Sequence, residues 1–583
     1  MGDVINKFIE EFKRIAIPKE EPDLSGNFYP YARSYRNAAV RLRQCSIHDF
    51  AARRDIVKKI GLNVFFFPSD QIPGCDLLSD SGTTTMTMEQ WAQLLLGDEA
   101  YGSNEGYFTL KDKLNYTFGA GWVVNNGMRI VTHSGKELTI KIEKEELQNL
   151  FIFHQGRACE YALFSTLNET LKRNKGCKEL YKQPLREGGE IEELPDDLKN
   201  KVKKSFDKII DDLKIKKDNG PAFIIPCNTY FDTTEANAEH AKIIPLNIPC
   251  KKHEEDDINF KFRGNINIEY LKELLDWNKK RIPLVYLTIT NNAGGGQPVS
   301  MENIKATIEI AHANGIPVFF DACRFAENAW FIKKNEKGYE SKDIKTIIHE
   351  MFKDVDGFHV SFKKDGLVNM GGAILINNKK DNIFTEKYPE FLSMLTDHQI
   401  LVEGHPTYGG LAGRDLKGLV EGLNTVTNEQ YLNHRISQVN RFGEKLISLL
   451  KKGEDRKTAP ILQPIGGHAI YLKMDDFFNE KDDGVFKGIS LTALLLIAGH
   501  RLVELGLYFF GKCKNNKEEP PVPRINYIRA AVPRLTYEDQ DLFATTEAIK
   551  ILYDYRDLIP GVNVEYGQDK TLRHFKSRFS FKV

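Results

Sequence analysis

The chain has 583 residues, 41% hydrophobic and 28% charged, a globular balance in a chain too long for one compact core. Lysine plus arginine (81) equals aspartate plus glutamate (81), so the net basic charge that nucleic-acid partners require is missing. No apolar run is long enough to span a bilayer, Met1 to Glu20 has no signal-peptide core, and eight scattered cysteines without a CxxC pair read as reduced thiols in a cytoplasmic protein.

In chain order, the charged N-terminus reads as helical, and Asn125 to Gln148 reads as an insertion, a hairpin turning at Ser134-Gly135. His154-Gln155-Gly156-Arg157 then leads into an apolar helical stretch, Tyr161 to Leu171. Glycine at a helix start exposes N–H groups, and arginine adds a fork of donors. That suits a phosphate, although an ordinary helix cap with a surface arginine fits equally. Glu190 to Asn219 predicts a solvated insertion helix, with Val202, Phe206, Ile209 and Leu213 on its apolar side. Phe223-Ile224-Ile225 is strand-like and delivers Phe231 and Asp232. Phe231 can stack on a flat ring or fill the core.

Arg281 to Asn377 carries the clearest pattern. Leu284 to Thr290, Ile316 to Phe320, Gly357 to Val360 and Gly371 to Ile376 read as buried strands. Between them Ser300 caps a helix with Ile304, Ile308 and Ala311 on one face, and Ile344, Ile347, Ile348, Met351 and Phe352 mark another. The alternation predicts an α/β domain with a largely parallel sheet, whose ligand lies at the carboxyl ends of the strands. Asp321 and Lys364 stand at two such ends. A lysine there can bind an aldehyde cofactor covalently, and a carboxylate can face the pyridine nitrogen of pyridoxal phosphate (PLP). An acid and a lysine at strand ends are common, so the pair alone decides nothing. Leu432 to Leu450 reads as a long amphipathic helix leading into a smaller C-terminal domain.

Longer motifs decide more. Asn292-Ala293-Gly294-Gly295-Gly296-Gln297-Pro298-Val299-Ser300, Phe320-Asp321-Ala322-Cys323-Arg324-Phe325-Ala326-Glu327-Asn328 and Ser361-Phe362-Lys363-Lys364-Asp365 resemble the β-eliminating lyases, PLP enzymes of the aspartate-aminotransferase fold. So do Leu77 to Thr83, Gly97-Asp98-Glu99-Ala100-Tyr101, His154 to Arg157, Pro406 to Leu411, Gly466-Gly467-His468-Ala469 and Leu572-Arg573-His574-Phe575, all in family order.

The resemblance implies PLP fold type I. Residues 1–84 would form an N-terminal arm and part of a small domain. Residues 85–430 would form the large PLP-binding domain, with insertions at about 125–150 and 172–220, and residues 431–583 the C-terminal small domain. It implies that Lys364 carries PLP and removes the α-proton, with Asp321 against the ring nitrogen. Asn292 and Arg324 would meet the ring hydroxyl oxygen, Phe231 would stack on the ring, and Gln155, Gly156, Arg157 and Ser361 would hold the phosphate. Arg529 would clamp the substrate carboxylate with help from Ser81. Tyr101 would serve the leaving group from a neighbouring subunit of a homotetramer, and Gly82, Glu99 and Asn369 would bind potassium.

Within the family, Leu505 stands where the tyrosine phenol-lyase branch has its phenol-binding arginine. Val503-Glu504-Leu505-Gly506, Phe231-Asp232-Thr233-Thr234 and Arg573-His574-Phe575 are similar to the tryptophanase branch instead. The expected reaction is elimination from L-tryptophan to indole, pyruvate and ammonia, with Asp232 and His574 around the indole. His574 could equally be a satisfied structural histidine. Tyrosine phenol-lyase, a lyase for S-substituted cysteines, and an inactive PLP-fold binding protein are the rivals. Ala158, Ala530-Ala531 and His405 depart from the family pattern.

Overall fold

The computed structural model describes residues 45–46, 48–123, 148–186, 189–254, 257–514, 517–520, 524–570 and 572–582. The expected hairpin at Ser134-Gly135 and the N-terminal helix lie outside the described residues.

The central sheet contains β1 (Leu150–Phe153), β2 (Phe223–Cys227), β3 (Ile243–Asn247), β4 (Val285–Thr288), β5 (Val318–Asp321), β6 (Gly357–Ser361) and β7 (Gly372–Ile376). Their spatial order is β1-β7-β6-β5-β4-β2-β3. β7 pairs antiparallel with both β6 and β1, and the other neighbours pair in parallel. The short link 362–371 explains the one reversal, because it cannot hold the crossover a parallel pair needs. Every residue of β4, β5, β6 and β7 is buried, as continuous apolar runs between two helical layers require.

The helices that matter for the site are α1 (Gly156–Arg173), α2 (Asp196–Leu213), α3 (Asp232–His240), α4 (Met301–Ala313), α5 (Phe325–Asn335), α6 (Ile344–Phe352) and α7 (Glu429–Leu450). Strand alternation divides the core. Phe320, Phe358 and Val360 face the cluster that includes α4 and α6, while Tyr286, Phe319 and Ile374 face the cluster that includes α1. Ser300 caps α4 by accepting from Asn303 N, and Ile304, Ile308 and Ala311 are buried as their spacing predicts. Helix α2 buries Leu198, Val202, Phe206 and Ile209. On its outer face Lys208 bridges Glu235 (3.0 Å) and Glu239 (2.5 Å) of α3.

α7 starts at Asn428, whose side chain accepts from Gln430 N and Tyr431 N. Its early residues Tyr431, Leu432 and Ile436 belong to the sheet's core, whereas Val439, Phe442, Leu446 and Leu450 belong to another. That second core packs on a three-stranded antiparallel sheet of β8 (Ala469–Lys473), β9 (Val503–Leu505) and β10 (Tyr527–Ala531), ordered β8-β10-β9. Among the described residues no helix is long and apolar enough to cross a membrane.

Candidate active site

Asp321 ends β5 and Ser361 ends β6, so both lie buried at the carboxyl edge of the sheet. The turn after β6 returns toward β5, where Asp365 N donates to Cys323 O at 3.3 Å. This brings Lys364 into the neighbourhood of Asp321. Burial pushes the Cys323 thiol up, the Asp321 charge pushes it further, and the Lys364 charge pulls it down. Cys323 N (3.2 Å) and His359 Nε2 (3.6 Å) both approach Asp321 Oδ1. Oδ2 accepts no hydrogen bond, and the Lys364 amine has no ion pair or hydrogen bond, among the described residues.

The start of α1 forms the next wall. A Cβ on Gly156 would lie 2.4 Å from Ser361 Cβ, so only glycine lets the helix start this close to β6. Gln155 gives no side-chain cap, and the first helical N–H groups project beyond the intrahelical bonds. Arg157, Lys363 and Lys364 are close enough that burial, then Lys364 and Arg157, lower the Lys363 ammonium. Arg157 makes no ion pair among the described residues. Converging cations beside free N–H groups suit a phosphate. The Ala158 methyl packs into the apolar cluster behind β1, so it does not crowd this loop.

Asn292 is fixed from the other side. Its Oδ1 accepts from His468 Nε2 (2.9 Å) and Tyr471 Oη (3.2 Å). Burial and then Arg324 hold the His468 imidazole well below its ordinary value, so it is neutral. The Asn292 side-chain NH₂ donates to no described residue. Arg324 is largely committed to Asp80 through Nε and Nη2, which leaves Nη1 as its free donor among the described residues. Phe231 precedes α3, is half-buried and stacks on no described aromatic ring.

Three buried polar groups in the same region lack hydrogen-bond partners among the described residues: Arg529 Nε, Asp232 Oδ1, and both ring nitrogens of His574. Arg529, on β10, donates from Nη2 to Leu78 O at 3.0 Å. Burial pushes Asp232 up to about 6, against the pull of Arg157 and Arg529. Burial, then Arg573 and Arg157, holds His574 at about 3. His574 stacks on Phe509, with centroids 3.6 Å apart, and neither ring nitrogen has a hydrogen-bond partner among the described residues. Asp232 and His574 line one cavity of about 540 Å³, walled partly by Asp207 and Asp211 of α2.

The remaining expected residues are placed separately. Ser81 is half-buried, and its N–H donates to Ser79 Oγ. A Cβ on Gly82 would lie 3.1 Å from Asn369 O, so these two adjoin. Glu99 pairs with Arg414 at 2.6 Å. Tyr101 is 80% exposed and packs its ring against His405 and Tyr408. Sequence reasoning gave no role to Asp80, Glu160, Tyr286, His359 or Tyr471. Their partners lie far away in sequence, and only the folded arrangement reveals them.

A mostly parallel seven-stranded sheet covered by helices, with these residues at its carboxyl edge, is the architecture of PLP-dependent fold type I. Comparison with known proteins gives the family. The beta-eliminating lyase family model matches residues 76–205 and 208–547. Tryptophanase of Salinibacter ruber is 32% identical over 534 residues, covering 91% of this chain and 92% of that one. Tyrosine phenol-lyase of Lacrimispora saccharolytica is 33% identical over 533 residues, covering 91% and 93%. The chain belongs to the beta-eliminating lyase family, and it is a carbon–carbon lyase. Among solved structures, Sphingomonas wittichii serine palmitoyltransferase aligns with a TM-score of 0.47 and 11% identity, over 88% of this chain and 97% of that one.

Proposed function

We propose that the chain eliminates the side chain of L-tryptophan, giving indole, pyruvate and ammonia. The observation that carries this is the set of unsatisfied buried groups on Arg529, Asp232 and His574. Leaving such groups without partners costs about 1–3 kcal/mol each, which a ligand recovers.

Bound PLP supplies an electron sink for the bonds to the substrate's Cα. Gln155, Gly156, Arg157 and Ser361 hold its phosphate, and Phe231 stacks on its ring. Asn292 and the free nitrogen of Arg324 donate to its hydroxyl oxygen. Asp321 keeps a proton on the ring nitrogen. Lys364 would hold the cofactor through its amine, and the same amine would take the substrate's α-proton. Arg529 binds the substrate carboxylate as a fork, with Ser81 beside it. Tyr101, exposed on its own chain, reaches the site of another copy in a homotetramer and moves a proton to the leaving ring carbon. Gly82, Asn369 and Glu99 would hold a potassium ion. The enzyme works in the cytoplasm.

The choice of indole over phenol rests on the pocket. Leu505 is buried on β9, pairs with Tyr527 and offers no donor to a phenol oxygen. Asp232 and the neutral His574 offer hydrogen-bonding groups beside the aromatic rings of Phe509 and Phe575. The test incubates protein, PLP and potassium with tryptophan, tyrosine and S-alkyl cysteines in parallel. Indole and pyruvate from tryptophan, without phenol from tyrosine, are expected. Phenol release, or thiol release alone, overturns the substrate assignment.

A further inference from the structure

Asp321 and His359 are register partners on the parallel neighbours β5 and β6. Their side chains therefore project to the same face of the sheet, the one covered by α1. His359 is fully buried. Its Nε2 lies 3.6 Å from Asp321 Oδ1 and 3.7 Å from Glu160 Oε1 of α1. Its Nδ1 is hydrogen-bonded to the Tyr286 hydroxyl of β4. Glu160 is itself held from α3, accepting from Thr234 Oγ1 (3.0 Å) and Asn237 Nδ2 (3.3 Å). Cys323, whose thiol accepts from Ser361 N, completes the titratable groups around the imidazole.

We infer that His359 is a positioning residue for the cofactor's pyridine end: its imidazole faces Asp321 Oδ1 across 3.6 Å, holds that carboxylate in place by charge and leaves Oδ2 for the ring nitrogen. The inference rests on the reading that Asp321 faces PLP. Burial alone would lower the His359 imidazole, but Asp321, with Cys323 and Glu160, outweighs it and holds the group well above its ordinary value. The charge count explains the design. Two carboxylates and one imidazolium leave one buried negative charge, and a protonated ring nitrogen cancels it. A neutral side chain at 359 leaves two close buried carboxylates, one of which then takes up a proton.

The test compares wild type, His359→Leu, His359→Gln and Tyr286→Phe, each reconstituted with PLP. It reads the PLP dissociation constant by equilibrium dialysis and the pH titration of the visible absorption band. Both His359 variants should weaken PLP binding roughly tenfold and move the titration by about one pH unit, since one unit equals a tenfold change. Tyr286→Phe removes a buried partner but keeps the imidazole charge, so it should stay within about threefold of wild type. If the leucine variant does not fold, the glutamine variant, which keeps polarity without charge, decides alone. A normal wild-type band with unchanged His359 variants overturns the inference and spares the PLP reading. A wild type that forms no band overturns both.

Discussion

Arg324 and Asp80 meet through Nε and Nη2 at 3.1 and 2.8 Å, across 244 positions of sequence. Asp80 also pairs with Arg534, which reaches Glu327 of α5 and Asp365, the neighbour of Lys364. All five groups are buried. The network ties the 77–84 segment, the turn carrying Lys364 and the strand-end loop after β10 into one rigid frame. Despite burial, the charges of Arg324 and Arg534 hold the Asp80 carboxyl well below its usual range.

Asp80→Asn leaves two guanidinium groups short of a counter-charge. It should lower unfolding stability by about 3–5 kcal/mol, because breaking a buried ion pair strands the remaining charge. Urea unfolding at neutral pH reads this directly. A loss below about 1 kcal/mol, the value of a surface pair, would contradict the network's role.

Arg529→Gln should keep the PLP band but reduce kcat/KM for the amino acid roughly 10- to 150-fold. That is the range for losing a hydrogen bond to a charged group. Loss of the cofactor band instead would reassign Arg529 to the cofactor.

His574→Phe preserves the stack on Phe509 and removes both ring nitrogens. Turnover of tryptophan should fall roughly 5- to 150-fold, while S-alkyl cysteines, which lack an indole, should be affected far less. Equal losses on both substrates would make His574 a packing residue.

The same groups predict a pH signature in stability. Asp232 titrates at about 6 when folded, so between about 4 and 6 the folded state binds more protons and stability falls as pH rises. His574 titrates at about 3 when folded, so between about 3 and 6.5 the unfolded state binds more protons and stability rises with pH. Asp232→Asn should remove the first slope and His574→Phe the second, in urea midpoints measured against pH. Retention of the wild-type slope in either variant would show that the carboxyl or imidazole is solvated.

The fold was legible because its strands are continuous apolar runs and its helices carry clean caps, such as Ser300 on α4. The residues proposed for the site's covalent and anionic ends stand out as motifs, since Asp321 ends β5 and Lys364 and Gly156-Arg157 come a few residues after β6 and β1. What the sequence hid were pairings between distant positions. Arg324 reads as a cofactor ligand, yet two of its nitrogens go to Asp80. His359 reads as an interior strand residue, and only the register with Asp321 exposes its charge relation. The single reversed strand followed from link length rather than residue type.

The proposed function turns on the Lys364 amine, which has no ion pair or hydrogen bond among the described residues, carrying the cofactor and the chemistry. Purified wild type and Lys364→Ala, each incubated with PLP and gel-filtered, should be compared for retained visible absorption and for pyruvate released from tryptophan. Wild type should keep the band and release pyruvate, and the variant should do neither. A variant that still releases pyruvate at a rate near wild type would contradict the account.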